Sequence, residues 1–160
     1  MAASVNKTTK NLNGTWILPR NQNKELSDSA DPGLQIQDIG YFIRSIICVV
    51  PITIEVKQYE GLPKLSSTVS GLVIHIDIDQ RATSVSPSEE LRCLGNLPRN
   101  HSDWLFGNVK EQTCRISFEE INDEFLKSSW LVEEYGKSLI RSYTISEDKG
   151  WQVYLTAGTW

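Results

Sequence analysis

The sequence predicts an all-β protein, an antiparallel up-and-down barrel with one helix near its N-terminal side. Three observations predict it. Apolar and polar residues alternate over most of the chain, the period of a half-buried strand. Short loops carrying Gly, Pro, Ser and Asp separate these runs, as in strands that follow one another round a barrel. The first run opens on Gly14-Thr15-Trp16, where glycine lets the chain bend in and an indole can plug a barrel end.

Residues 1–10 read as a flexible N-terminal tail, polar and without an apolar core, and residues 11–160 as a single barrel domain. The first strand runs from Gly14 to Arg20. After a polar loop to Asp31, the pair Asp31-Pro32 reads as a helix cap with proline at the first helical position. Leu34, Ile39, Phe42, Ile43, Ile46 and Ile47 approximate one helical face, and Pro51 is the latest point at which that helix can end. Gly40 inside it lowers helix propensity and suggests close packing there.

From Ile52 the period becomes two. Ile52, Ile54 and Val56 lie opposite Thr53, Glu55, Lys57 and Tyr59. Between Val69 and Gln80, Leu72, Ile74, Ile76 and Ile78 lie opposite Val73, His75, Asp77 and Asp79, the strongest strand signal in the chain. Further strands are expected over Glu89–Leu94, Trp104–Lys110, Thr113–Phe118, Lys137–Ser146 and Trp151–Thr156, with Gly95–Ser102 as a loop. Asn122–Lys127 reads as a helical turn before Trp130-Leu131.

Composition excludes several classes. The net charge of −4 comes without a basic stripe, which argues against nucleic acid as a partner. No apolar run reaches the roughly 18 residues of a membrane span. Cys48, Cys93 and Cys114 are odd in number and fall at unrelated spacings, which predicts free thiols in a reducing, cytoplasmic setting. The chain lacks the GxSxG, HExxH, Walker and GxGxxG motifs, and it has only two histidines, His75 and His101. No metal and no cofactor are expected.

The order of elements resembles lipocalin-like (calycin-type) proteins, in particular small single-domain ones from fungi. The residues carrying the resemblance include Asn11 to Trp16, Leu26-Ser27-Asp28-Ser29 through Asp31-Pro32, and Gln37-Asp38-Ile39-Gly40. Val56 to Tyr59, His75 to Gln80, Phe106 to Lys110 and the Trp130-Leu131 region extend it over most of the chain. The resemblance implies a barrel around a mainly apolar cavity. It also implies a cofactor-free cyclase or isomerase of natural-product biosynthesis, Diels–Alderase-type pericyclases included. Two departures stand out. Glu111 and Arg115 fall where smaller or aromatic residues are expected, and the chain reaches Gly158-Thr159-Trp160 short of a strand that would close the barrel. An open last strand would favour a homodimer by edge pairing.

His75 and Asp77, two apart on one strand face, are candidate catalytic residues if that face lines the cavity, because burial would tune both groups for proton transfer. The other reading puts the isoleucines inward and this pair on the solvent side. Arg141 is the third catalytic candidate, as a donor to a carbonyl or carboxylate if it points inward. Tyr41, Phe42, Tyr59, Trp104, Phe106, Trp130, Tyr143 and Trp151 are candidate ligand-binding walls, with ordinary core packing as the alternative. The expected function is binding a hydrophobic small molecule and promoting its cyclisation or isomerisation by holding a reactive conformer. A non-catalytic carrier of a hydrophobic metabolite is the alternative, and a barrel with a fully packed interior is a third.

Overall fold

Strands pair in sequence order into two antiparallel four-stranded sheets. The computed structural model describes residues 7–18, 29–63, 71–128 and 138–158. Sheet one holds β1 (Gly14–Leu18), β2 (Ile52–Gly61), β3 (Val73–Ala82) and β4 (Val85–Cys93). Sheet two holds β5 (Arg99–Asp103), β6 (Gly107–Ile116), β7 (Leu139–Ser146) and β8 (Gln152–Ala157). The mostly-β, antiparallel expectation therefore stands. The closed barrel does not follow from it: among the described residues β1 and β8 do not pair, and each ends its sheet.

The sheets are joined along the other side. After β4 the chain crosses over, Gly95 bridges Cys114, and the Asn96 amide donates to the Thr113 carbonyl at 3.0 Å. One end of the space between them is tied by the segment before β1. Thr9 is buried there. Its hydroxyl donates to the Ser138 carbonyl at 3.0 Å, while Arg115 Nη2 donates to the Thr9 carbonyl at 3.0 Å. The expected tail is thus shortened, with Thr9 part of the packed end. Trp16 lies across from Ile54 and packs on the cluster of Val56, Ile76 and Ile140, which joins the two sheets. Its indole N–H donates to the Leu12 carbonyl at 3.0 Å.

The single early helix is two helices, α1 (Asp31–Ile36) and α2 (Tyr41–Val49). Asp38, with φ of 59°, turns the chain through the left-handed region between them, which an α-helix cannot include. Gly40 caps α2 instead of lying inside a helix, and a Cβ there would meet nothing within 4 Å. Arg44 Nε donates to Asp31 Oδ1 at 2.9 Å and holds the two helices together. Pro32 sits in the first turn of α1, as its fixed φ favours.

Two strand assignments change. Arg99–Asp103, expected as loop, is β5, and the two expected strands on either side of Glu111 are one, β6. A 3₁₀ turn (Phe118–Glu120) and α3 (Glu124–Lys127) cover the face of sheet two that points away from sheet one. There Cys114, Ile116, Phe118, Ile121 and Leu139 form a second apolar cluster. All three cysteines are free thiols. No helix is long and apolar enough to cross a membrane among the described residues.

Candidate functional site

Alternation along each strand decides what faces the space between the sheets. In β3 the even positions Ile76 and Ile78 pack with Val56, Ile54 and Ile140, so the isoleucine face is inward. Next on that face comes Gln80, paired with Ser88 across the ladder. In β4 the inward face continues as Ser88, Glu90 and Arg92, while Leu91 points out and is 37% exposed. In β6 the inward face is Val109, Glu111 and Thr113, and in β7 it includes Ile140 and Ser142. The interior is apolar on the β1–β3 side and polar where β4 meets β5–β7.

That polar side holds two neighbouring groups of contacts, one about Arg92 and one about Asp103. Arg92 donates from Nε and Nη2 to Glu90 Oε2 at 2.8 and 2.6 Å, and from Nη1 to the Ser142 hydroxyl. Glu111 Oε1 lies 3.8 Å from Arg92 Nη2. Gln80 Nε2 donates to Glu90 Oε1 at 2.9 Å, and the Ser88 hydroxyl donates to Asp103 Oδ2 at 2.8 Å. His101 Nε2 is 3.6 Å from the same Asp103 oxygen and has no hydrogen-bond partner. Two carboxyl groups, Glu90 and Glu111, thus share the Arg92 guanidinium, and Asp103 contacts Ser88 and His101.

Glu111 is the least compensated of them. It is 6% exposed, and its side chain makes no hydrogen bond among the described residues. Desolvation pushes its pKa up, Arg92 pulls the other way, and Glu90 adds to the rise. Above the ordinary value of 4.5 the unfolded chain loses this proton while the folded protein keeps it. Folding then takes up a proton, so this group's contribution to stability falls as pH rises from about 4.5 through the raised folded value. Glu111→Gln cannot ionise and is expected to melt higher than the parent at pH 8 and equally near pH 4. Each pH unit between the folded and unfolded values is worth about 1.4 kcal/mol. Thermal melts at the two pH values check this, and equal melting at pH 8 would place Glu111 in contact with solvent.

Above this cluster lies a cavity of about 180 Å³ between the helix pair and the ends of the sheets. Leu34 of α1, Ile47 of α2, Ile52, Val85, Trp104, Leu105 and Phe106 supply its apolar lining. Gln80 and Ser88 are its link to the interior, since each donates onward to a carboxylate of the cluster. Trp104 and Phe106 are therefore brought together, but in the β5–β6 turn and not on a strand. Asp103 makes that turn: its Oδ1 accepts from the amides of Leu105 and Phe106 at 2.9 and 2.6 Å. Trp151 is buried behind, edge-on to Phe106 with ring centroids 6.2 Å apart.

The remaining expected site residues lie elsewhere. His75 and Asp77 are on the outward face of β3, because the isoleucines take the inward one. Yet His75 is 0% exposed. Tyr59 stacks on its ring at 5.1 Å, and His75 Nε2 bonds the Leu62 carbonyl at 3.0 Å, so that nitrogen carries the proton. The Tyr59 hydroxyl then donates to Asp77 Oδ2 at 2.9 Å. Tyr59 covers a histidine and holds a carboxylate outside the cavity. Tyr41 and Phe42 are 69% and 82% exposed on α2 and touch each other edge-on. Trp130 lies outside the described residues.

Arg141 and Tyr143 share a face, as the strand period predicts, but it is the outer face of sheet two. Tyr143 stacks on Tyr154 at 4.5 Å. Arg141 Nη2 reaches Cys114 Sγ at 3.6 Å and lines a second, larger hollow of about 450 Å³. The carboxylates of that hollow serve the local chain: Glu120 accepts from the Ser117 amide at 2.6 Å, and Asp123 caps α3 through the Leu126 amide at 3.0 Å. Size favours this hollow. Glu120 and Asp123 are committed to local turns, while Thr156 Oγ1 is buried there without a hydrogen-bond partner. The smaller cavity is the more apolar in its lining and is the candidate for a hydrophobic ligand.

Glu90, Arg92, His101, Asp103 and Glu111 are the site residues that strand periodicity missed. The signal for two of them was present, a Glu and an Arg two apart in a strand whose leucine sits between them. No metal-holding group of His, Cys, Asp or Glu occurs among the described residues. No family model, curated protein or solved structure matches the chain.

Proposed function

We propose that the protein binds a compact hydrophobic molecule in the cavity under α1 and α2 and promotes its cofactor-free cyclisation or isomerisation. The two sheets are then halves of a lipocalin-like barrel opened between β8 and β1. One observation carries the reading: an apolar mouth formed by Leu34, Ile47, Trp104 and Phe106 sits directly over a buried group of ionisable side chains. The mouth would hold the hydrocarbon body near its reactive conformer. Gln80 and Ser88, each bonded to a carboxylate, would orient a polar group of the substrate. About 180 Å³ is below the roughly 300 Å³ at which drug-sized ligands begin to fit. The substrate is accordingly small, or α1 and α2 shift to admit it.

A carrier is the second reading. What favours it is that Ser88 spends its single O–H on Asp103 and Gln80 spends one of its two amide N–H donors on Glu90, leaving one uncharged donor for a carbonyl. The natural-product setting and the lipocalin-like family are proposals on the same footing as the activity. So is a cytoplasmic location, which three free thiols support. Among the described residues β1 and β8 are edge strands, which supports a homodimer.

Tryptophan fluorescence with small polyene and terpenoid ketones, followed by mass spectrometry and NMR of the recovered compounds, tests the proposal. The expected result is saturable binding with conversion to an isomer of equal mass, both lost in Trp104→Ala. Saturable binding with the compound returned unchanged would favour the carrier. No saturable binding by any compound would overturn both readings.

A further inference from the structure

The outer face of sheet two carries two donors that point at nothing of their own. Across the ladders Cys114 pairs with Arg141 and Arg141 with Thr156, so their side chains form one row on that face. Arg141 Nη2 reaches the neutral Cys114 thiol at 3.6 Å, and among the described residues Arg141 has no ion pair. Beside it Thr156 Oγ1 is buried without a hydrogen-bond partner. Both residues line the hollow of about 450 Å³. A buried hydroxyl left unpaired is costly, and a guanidinium with donors to spare matches the two oxygens of a carboxylate.

Glu120 and Asp123 meet the same hollow from the 3₁₀ turn and the start of α3. Each spends one oxygen on the local chain, Glu120 Oε2 on the Ser117 amide and Asp123 Oδ1 on the Leu126 amide. The bonds from Ser117 hold the Glu120 carboxyl below its ordinary value, and the charge of Arg141 adds to this. Glu120 and Arg141 thus feel each other without forming an ion pair. A bare anion on Arg141 would be repelled by Glu120, so the anion has to bring its own positive charge. Ile116, Ile121 and Leu126 make the rest of the wall apolar.

We infer that this hollow takes a free α-amino acid with an apolar side chain. Its carboxylate lies on Arg141 and Thr156, its ammonium group faces Glu120 and Asp123, and its side chain rests against Ile121 and Leu126. One α-carbon carries both charges, which suits opposite charges of the protein held close but apart. The volume of about 450 Å³ lies inside the roughly 300–1,000 Å³ of small-molecule sites. This second site does not depend on the cavity under α1 and α2.

Three probes sharing a phenyl ring test it by calorimetry near pH 7: L-phenylalanine, 3-phenylpropanoate without the ammonium group, and 2-phenylethylamine without the carboxylate. Phenylalanine is expected to bind at least about tenfold more tightly than either, the worth of one charged hydrogen bond. Arg141→Gln should weaken it by at least about tenfold and Thr156→Val by about threefold or more. Thr156→Val keeps the shape and deletes the unpaired hydroxyl, so it decides the matter if Arg141→Gln fails to fold. Equal binding of either truncated probe would overturn the inference, as would phenylalanine binding unchanged in both variants. No saturable binding of phenylalanine, or of L-leucine as its aliphatic counterpart, would also overturn it.

Discussion

Arg92→Met is expected to lose about 3–5 kcal/mol of stability, the cost of leaving one side of a buried ion pair unpaired. For a chain of 160 residues that is a fall in melting temperature of about 6–20 °C. The Arg92 and Glu90 side chains are 15% and 14% exposed, and Glu111 is 8%. Removing the guanidinium strands two carboxylates in the space between the sheets and takes away the donor to Ser142. Methionine fills much of the volume, so the loss reports charge and not a cavity. The triple variant Arg92→Met, Glu90→Gln, Glu111→Gln should recover most of it, because a buried ionic group replaced as a whole is often close to neutral. Denaturant melts of both variants decide the matter. A loss under about 1 kcal/mol would mean that the cluster behaves as a solvated surface pair.

Leu139→Ala is the second large effect, about 2–5 kcal/mol, from lost burial and the cavity it leaves. Leu139 is 0% exposed, opens β7 opposite Ile116, and sits in the cluster with Cys114, Phe118 and Ile121 under the 3₁₀ turn and α3. That cluster is on the far side of sheet two from the cavity. Stability should therefore fall while the affinity of any cavity ligand holds at a temperature where the variant remains folded. An equal loss of binding would show that the two faces of sheet two are coupled.

The fold was legible wherever one strand face was aliphatic. Ile54 and Val56, and Ile76 and Ile78, mark their strands by period alone, and the structure keeps their faces. β5 was hidden because Arg99-Asn-His-Ser-Asp103 holds no apolar residue; its pairing with β6 rests on the backbone ladder. β6 looked like two strands because Glu111 and Thr113 occupy inward positions where an apolar residue would have continued the pattern. The long helix broke at Asp38, a side chain that tolerates the left-handed conformation and carries no signal in a hydrophobic pattern.

The site was legible only in part, for a related reason. Trp104 and Phe106 were found as aromatics, though the turn that presents them is made by the Asp103 side chain. His75 drew attention as a histidine on a strong strand, and its burial comes from Tyr59 and the Leu62 carbonyl, neither predictable from alternation. Glu111 and Arg115 stood out as misplaced. Both proved to be inward-side groups of β6, Glu111 in the ionic cluster and Arg115 bonded to the Thr9 carbonyl. Polar residues facing inward leave the same trace in a sequence as polar residues facing water. Only the register of β4, β5 and β6 brings them together.

The hollow under α1 and α2, and not the larger one beside Arg141, is proposed to receive the hydrophobic ligand. Titrating isotope-labelled protein with a small terpenoid ketone and following its NMR spectrum distinguishes the two hollows. Saturable shifts are expected at Gln80, Ser88, Leu105 and the Trp104 indole, with Glu120, Arg141 and Tyr154 unmoved. Saturable shifts confined to Glu120, Arg141 and Tyr154 would contradict it.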